Sequence, residues 1–196
     1  MPRSGAAARD RLERAALALY GQRGYDQTTA AQIAAQAGVT ERTFFRHYAD
    51  KREVVFNVEA TQQQALARAL ADVPANVAPL AAVLSAFRSM APALEDNRAL
   101  AEERHRVISA APALRERELA KEAALSVIVA DALRTRGLPD RRASLLAQVT
   151  TAALGHAIHT WVEDPSPGID DLIVQAFNDL RDFSTADNTP GPATRR

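Results

Sequence analysis

Apolar residues recur at helical spacing along almost the whole chain, and no alternating apolar–polar run long enough for a strand interrupts them. Leu12, Ala15, Ala16, Leu19 and Tyr20 form the stripe of a first amphipathic helix. Two short patterns follow: Ile33, Ala34 and Ala37, then Phe44 and Tyr48. A long helix is expected from Lys51 to about Asp72, opened by the capping-box pattern Asp50-Lys51-Arg52-Glu53. Pro79 suits the first turn of a helix to about Met90, with Leu80, Val83, Leu84 and Phe87 on one side. Asn97 is a candidate cap for a helix through Ile108. Pro112 opens another that carries Leu119, Leu125, Ile128, Val129 and Leu133 and stops at Gly137. The last two helices are expected at Asp140 to Glu163 and Ile169 to Phe183, separated by Pro165-Ser166-Pro167-Gly168. The fold class is therefore all-α, with about nine helices, and the polar tail 184–196 is expected to be disordered.

The segment Thr28 to Lys51 has the layout of a helix-turn-helix. Thr29-Ala30-Ala31-Gln32 matches a capping box, and Gly38 stands where the helix must end with a positive φ. Val39 plugs the angle between the two helices. Thr40 caps the next helix, Glu41 to about His47, and Glu41 suits its dipole. With Phe44 and Tyr48 turned inward, Arg42, Thr43, Phe45, Arg46 and His47 are left on the outer surfaces. A helix of this kind reads base edges in a major groove about 12 Å wide.

These elements resemble, in order and spacing, the DNA-binding domain of the TetR family of bacterial transcriptional regulators. The resemblance covers about Ala8 to Phe56: the first amphipathic helix, Gly24-Tyr25, Thr28-Thr29, Ile33-Ala34, Ala37-Gly38-Val39, Phe44-Phe45-Arg46-His47-Tyr48 and Lys51. It implies a three-helix DNA-binding domain at 1–56 and a helical effector-binding and dimerisation domain at 57–183. It assigns Thr28 and Thr29 to phosphate contacts, and Thr40, His47 and Lys51 to further backbone clamps. Arg42 and Thr43 fall where side chains reach base edges. The chain departs from the pattern at Phe45, where a phenol hydroxyl for a phosphate is absent. Arg46 stands as a charged clamp or a base reader. Ala30 occupies a position where some members place an arginine, so the first helix of the motif is expected to add little specificity.

Composition narrows the function. The 196 residues contain no cysteine, which excludes disulfides and thiolate metal sites and suits a reducing cytoplasm. The opening MPRSGAAARD lacks the apolar core of a signal peptide, and no apolar run is long enough to span a bilayer; no membrane association is expected. Net charge is zero, but residues 1–56 hold nine Lys/Arg against six Asp/Glu, and the remainder fifteen against eighteen. Affinity for DNA should therefore rest on shape, paired half-sites and local clamps more than on bulk attraction. No nucleophile–base pattern, phosphate-cradling glycine loop or acidic pair in an apolar setting points to catalysis, so no catalytic residue, cofactor or enzyme activity is expected.

In the C-terminal part the resemblance implies a homodimer built from the last two helices. Leu145, Val149, Ala152, His156 and His159 on one, and Leu172, Ile173, Ala176, Phe177 and Leu180 on the other, are the candidate interface; internal core is the competing use of the same stripes. A dimer would read a palindromic operator in double-stranded DNA. The resemblance also implies a pocket for an unidentified small-molecule effector, for which Phe87, Met90, Arg104, His105, Ile108, Val127, Leu154 and Trp161 are candidates. His156, His159 and Glu163 share one helical face and are weak candidates for zinc or nickel, given a further ligand; polar interface residues are the other reading. The expected function is a repressor released from its operator by the effector. The alternatives are a helical small-molecule-binding or carrier protein with a vestigial helix-turn-helix, and a helical adaptor for an acidic protein.

Overall fold

The computed structural model describes residues 3–164 and 166–186. Among them lie ten α-helices and one 3-10 turn: α1 Arg3–Arg23, α2 Ala30–Gln36, α3 Glu41–His47, the turn Glu53–Phe56, α4 Glu59–Asp72, α5 Pro79–Arg88, α6 Ala91–Glu95, α7 Arg98–Ala110, α8 Pro112–Thr135, α9 Asp140–Glu163 and α10 Ile169–Ala186. Nine helices have seven residues or more; the five-residue α6 is additional to those the periodicity marks. α10 runs to Ala186, past the expected Phe183, and the rest of the tail expected to be disordered lies outside the described residues.

The expected long helix from Lys51 does not form as such. Asp50 accepts from the Arg52 amide (2.7 Å) and pairs with its guanidinium, a local turn ahead of the 3-10 stretch. The residues that follow, Val54, Val55 and Phe56, are all buried, so this stretch has no solvent side for an amphipathic helix to present. Two adjacent β-branched residues weaken α-helix further, and the chain takes a 3-10 turn until α4 opens at Glu59. Asn97 flanks α7 without capping it, because its amide donates back to Ala93 O (2.8 Å).

Two apolar cores result. The larger joins α4, α5, α6, α8, α9 and α10 around Phe87, Trp161, Ile173 and Phe177, with Phe87 and Phe177 edge to face at 6.0 Å. Arg136, just past α8, locks the α4–α5 loop by donating to the carbonyls of Val73, Pro74 and Val77 (2.8–2.9 Å). The smaller core holds α1, α2, α3 and the 3-10 turn, and it also contains Val107, Ile108, Ala111 and Leu114. The corner between α7 and α8 is thus an integral part of the N-terminal core.

Polar groups fasten that corner. Arg117 on α8 makes a two-pronged pair with Glu53 (2.9 and 3.0 Å), reaches Glu59 (2.5 Å) and covers the Phe56 ring at 4.9 Å. Arg104 on α7 pairs with Glu13 on α1, a carboxylate that is almost wholly buried. Glu13 also accepts from Asn57 Nδ2 (3.1 Å), whose Oδ1 accepts from the Tyr48 hydroxyl (2.6 Å). Removing one partner of such a pair strands a buried charge. Glu13→Ala should lower the unfolding free energy by about 3–5 kcal/mol. Urea denaturation checks this, and a loss below about 1 kcal/mol would show that the pair carries no structural weight.

Candidate nucleic-acid interface and candidate effector cleft

Local chemistry fixes the ends of α2 and α3. Thr29 Oγ1 accepts from Gln32 N (3.2 Å) while Gln32 Oε1 accepts from Thr29 N (2.9 Å), the reciprocal capping box expected there. Gly38 takes φ +67°, and Val39 N donates back to Ala34 O (2.9 Å), closing the C-terminus of α2. Half-buried Val39 packs on the core between the helices. Arg11 Nε donates to Ala37 O (3.2 Å), tying the turn to α1. Thr40 Oγ1 then accepts from Thr43 N (3.2 Å) and starts α3, with the two threonine hydroxyls 3.0 Å apart.

α3 is anchored by its inner face. Phe44 and Tyr48 are buried and pack against each other, ring centres 5.7 Å apart. The outer face carries Arg42, Phe45 and Arg46, all exposed, with half-buried Thr43 beside them. Phe45 keeps half of its surface in solvent, although it lies edge-on to Phe44. Neither arginine makes a hydrogen bond or ion pair with a described residue. Thr29 and Thr40 are exposed at helix starts, where amides and hydroxyls face outward together.

Two residues of the expected DNA-binding set face inward. Thr28 is buried, and its hydroxyl donates to Gly24 O (2.9 Å). Lys51 Nζ donates to Tyr25 O and Thr28 O (both 2.8 Å) and sits 4.2 Å over the Tyr25 ring. Its ammonium satisfies carbonyls of the α1–α2 loop, while its own carbonyl accepts from Tyr20 OH (2.7 Å). Lys51 thereby ties the α1–α2 loop to the start of the 3-10 turn from behind the reading helices. His47 is intermediate: half-buried, with its Nε2 buried and unpartnered among the described residues.

The candidate effector residues do not converge. Phe87 and Trp161 are core, with Trp161 under the Arg98 guanidinium at 4.7 Å. Met90 packs at the edge of that core. Arg104 is taken by Glu13, Ile108 belongs to the N-terminal core, and Val127 points outward with more than half its surface exposed. Helical spacing alone cannot separate these three surroundings. Of the candidates, His105 and Leu154 line one cavity, a cleft of about 130 Å³ between α7, α8 and α9. Glu118, Lys121, Glu122, Leu125, Thr151, Gly155, Ile158 and His159 complete it. Burial holds the Lys121 ammonium below its ordinary value and raises the Glu122 carboxyl. Buried Thr151 Oγ1 has no described partner, and a Cβ on Gly155 would stand 3.4 Å from Glu122 Oε1. A wider groove of about 750 Å³, lined by Leu70, Val73, Ile128 and Arg136 among others, runs between α4 and α8.

The expected dimer stripes also divide. On α9, Leu145, Val149, Ala152, His156 and His159 are exposed. On α10, Leu172, Ile173, Ala176 and Phe177 are buried in the chain's own core and Leu180 packs against it, so that stripe is internal. The apolar face beside α9 belongs instead to α8, where Leu119 and Val127 are well exposed and Ala123 lies between them. His156 and His159 part company as well: His159 meets the ring of His105 on α7, centres 4.8 Å apart.

Comparison with known proteins places these features. Residues 13–58 match the model of bacterial regulatory proteins of the tetR family, and residues 77–184 match the model of the MftR C-terminal domain. The HTH-type transcriptional regulator TcmR of Streptomyces glaucescens is 44% identical over 82 residues, 42% of this chain and 36% of TcmR, so the chain aligns with about a third of that relative's length. Among solved structures, the SmeT–triclosan complex superposes with a TM-score of 0.65 at 19% identity, covering 97% of this chain and 98% of that one. Thermus thermophilus FadR in complex with lauroyl-CoA gives 0.58 at 22% identity, covering 94% and 98%. At these identities the structures speak for the fold.

His47 links the end of α3 to pH. Burial, then Arg46 and Arg9, hold its imidazole below the ordinary value of 6.5. Its contribution to stability is thus fully present above pH 6.5 and is lost as pH falls through the lowered folded value, because the unfolded chain binds the proton more readily. The wild type should lose more stability than His47→Gln between pH 7.5 and 5 in urea unfolding; parallel losses would show an imidazole that titrates normally.

Proposed function

Because the chain belongs to the TetR family of bacterial regulatory proteins, we propose that it is a non-catalytic, cytoplasmic transcriptional repressor that binds a palindromic operator as a dimer and leaves it when a small molecule binds. The observation that carries the reading is α3. A short helix capped by Thr40 and anchored by Phe44 and Tyr48 presents two arginines without partners among the described residues and an exposed phenylalanine. Burial of large apolar groups is the rule and exposure of Phe45 needs a use; a thymine methyl in the major groove is the apolar contact such a ring makes. Arg42 and Arg46 suit guanine O6 and N7 or a phosphate.

Dimerisation is supported by the exposed apolar side chains of α8 and α9, two helices that pack on each other. Among the described residues, four of the six exposed large hydrophobics lie on these helices: Leu119, Val127, Leu145 and Val149. A monomer rarely leaves such side chains together in water, and a two-fold partner would cover them. Effector binding is supported by the polar cleft beside α7. At about 130 Å³ it is smaller than most ligand sites, so occupancy requires α7 or α8 to shift. The α7–α8 corner is part of the N-terminal core, and a shift there changes how α3 is presented.

Gel-shift titration against the chain's own upstream DNA at two salt concentrations tests the reading; binding no better than to random DNA would refute it. Arg42→Ala should cost about 1–3 kcal/mol of preference at one base pair in each half-site, and loss spread evenly over all sequences would make Arg42 a backbone contact. Lys51→Ala should weaken binding to every sequence while leaving the salt slope unchanged; a slope flatter by about one unit would return Lys51 to the phosphates. Val149→Asp should convert the dimer to monomer in analytical ultracentrifugation, whereas a persisting dimer would put the interface elsewhere.

A further inference from the structure

At the outer rim of the α7–α9 cleft, α7 and α9 bring together three donor groups that lie 54 or more residues apart or one helical turn apart in the chain. His105 projects from α7; His159 and Glu163 project from α9 at a spacing of four, which places both on one side of that helix. Their donor atoms all lie within 4.8 Å of one another. His159 Nε2 is already 3.4 Å from Glu163 Oε1, close to the separation of two ligands on one tetrahedral ion with bonds of about 2.0–2.2 Å. Both of these side chains are more than half exposed, so small rotations close the remaining distance to His105 without disturbing the core. The His105 ring is steadied by Ser109 Oγ, 3.4 Å from its Nε2, as an outer hydroxyl steadies a ligand imidazole.

We propose that His105, His159 and Glu163 bind one divalent late transition-metal cation, of the zinc, cobalt or nickel class, across the α7–α9 seam. Two imidazoles and one carboxylate select such an ion over magnesium or calcium, which require oxygen ligands. The set has three protein ligands, which leaves a coordination position for water or for an atom of a molecule in the adjoining cleft. Among the described residues no lysine or arginine forms an ion pair with Glu163, so a cation there meets an available carboxylate. The grouping differs from the trio that spacing on α9 suggests: His156 points to the outer face, and His105 takes its place. A metal here would pin α7 to α9, and α7 carries Arg104 next to His105 into the pair with Glu13.

The proposal stands on this geometry and not on the DNA-binding reading, and its test contains no DNA. The full-length protein, stripped with chelator, is titrated with Zn²⁺ against a chromophoric competitor, with Co²⁺ absorption recorded in parallel. The wild type should take up one Zn²⁺ per chain and give the visible d–d bands of a low-coordinate Co²⁺ site. His105→Ala and His159→Ala should each abolish stoichiometric uptake, Glu163→Gln should weaken it by about tenfold or more, and His156→Ala should keep it. Circular dichroism melts confirm that each variant is folded; were His105→Ala unfolded, His105→Gln serves in its place. Absence of uptake by the wild type, or uptake that survives at position 105 and fails at 156, overturns the assignment.

Discussion

The buried carboxylate of Glu13 is the constraint around which the N-terminal half is arranged. A charge removed from water must be paired and hydrogen-bonded, and Glu13 takes its partners from two distant parts of the chain: Arg104 on α7 and Asn57 after the 3-10 turn. Asn57 in turn holds the Tyr48 hydroxyl at the end of α3. One side chain therefore sets the positions of α1, α7 and the recognition helix relative to each other. The apolar contacts of Val107, Ile108, Ala111 and Leu114 would hold the same elements together, but without this directional pairing they would tolerate sliding.

How much of this was legible in the sequence depends on how far the partners lie apart. Thr29 with Gln32, Thr40 with Thr43, and Gly38 at the turn complete their chemistry within a few residues, and each takes the conformation its spacing implies. Lys51 and Thr28 look like surface groups for the same local reason, yet their partners are tertiary: the carbonyl of Thr28 is 23 residues from Lys51, and that of Tyr25 is 26. Glu13 left a fainter signal, an acid inside the apolar stripe between Leu12 and Ala16. Its partner at 104 left none.

The same limit governs the amphipathic stripes. Periodicity says that a helix has an apolar face and is silent on what covers it. For α10 the cover is the chain's own core; for the outer faces of α8 and α9 nothing among the described residues covers Leu119, Val127, Leu145 or Val149. The exposed stripe on α9 was readable as a contact surface, whereas that on α8 was masked by the stronger inward stripe through Leu125, Val129 and Leu133. His105 and His159 illustrate the point for chemistry: residues on separate helices become one site only when α7 packs across α9.

Energetics indicate how a small event near α7 would reach DNA. A tenfold change in operator affinity needs only about 1.4 kcal/mol of coupling between two sites. Breaking the Arg104–Glu13 pair outright would cost at least twice that, about 3–5 kcal/mol, and would threaten the fold of the reading domain itself. Regulation by rupture is therefore poorly matched to the need. A displacement of α7 that kept the pair and the Ile108 contacts intact would carry α1 and the α3 anchor with it as one body. In the proposed two-fold dimer such a movement would alter the separation of two rigid reading helices, and a mismatch with the pitch of the duplex would then cost the affinity that local distortion need not supply.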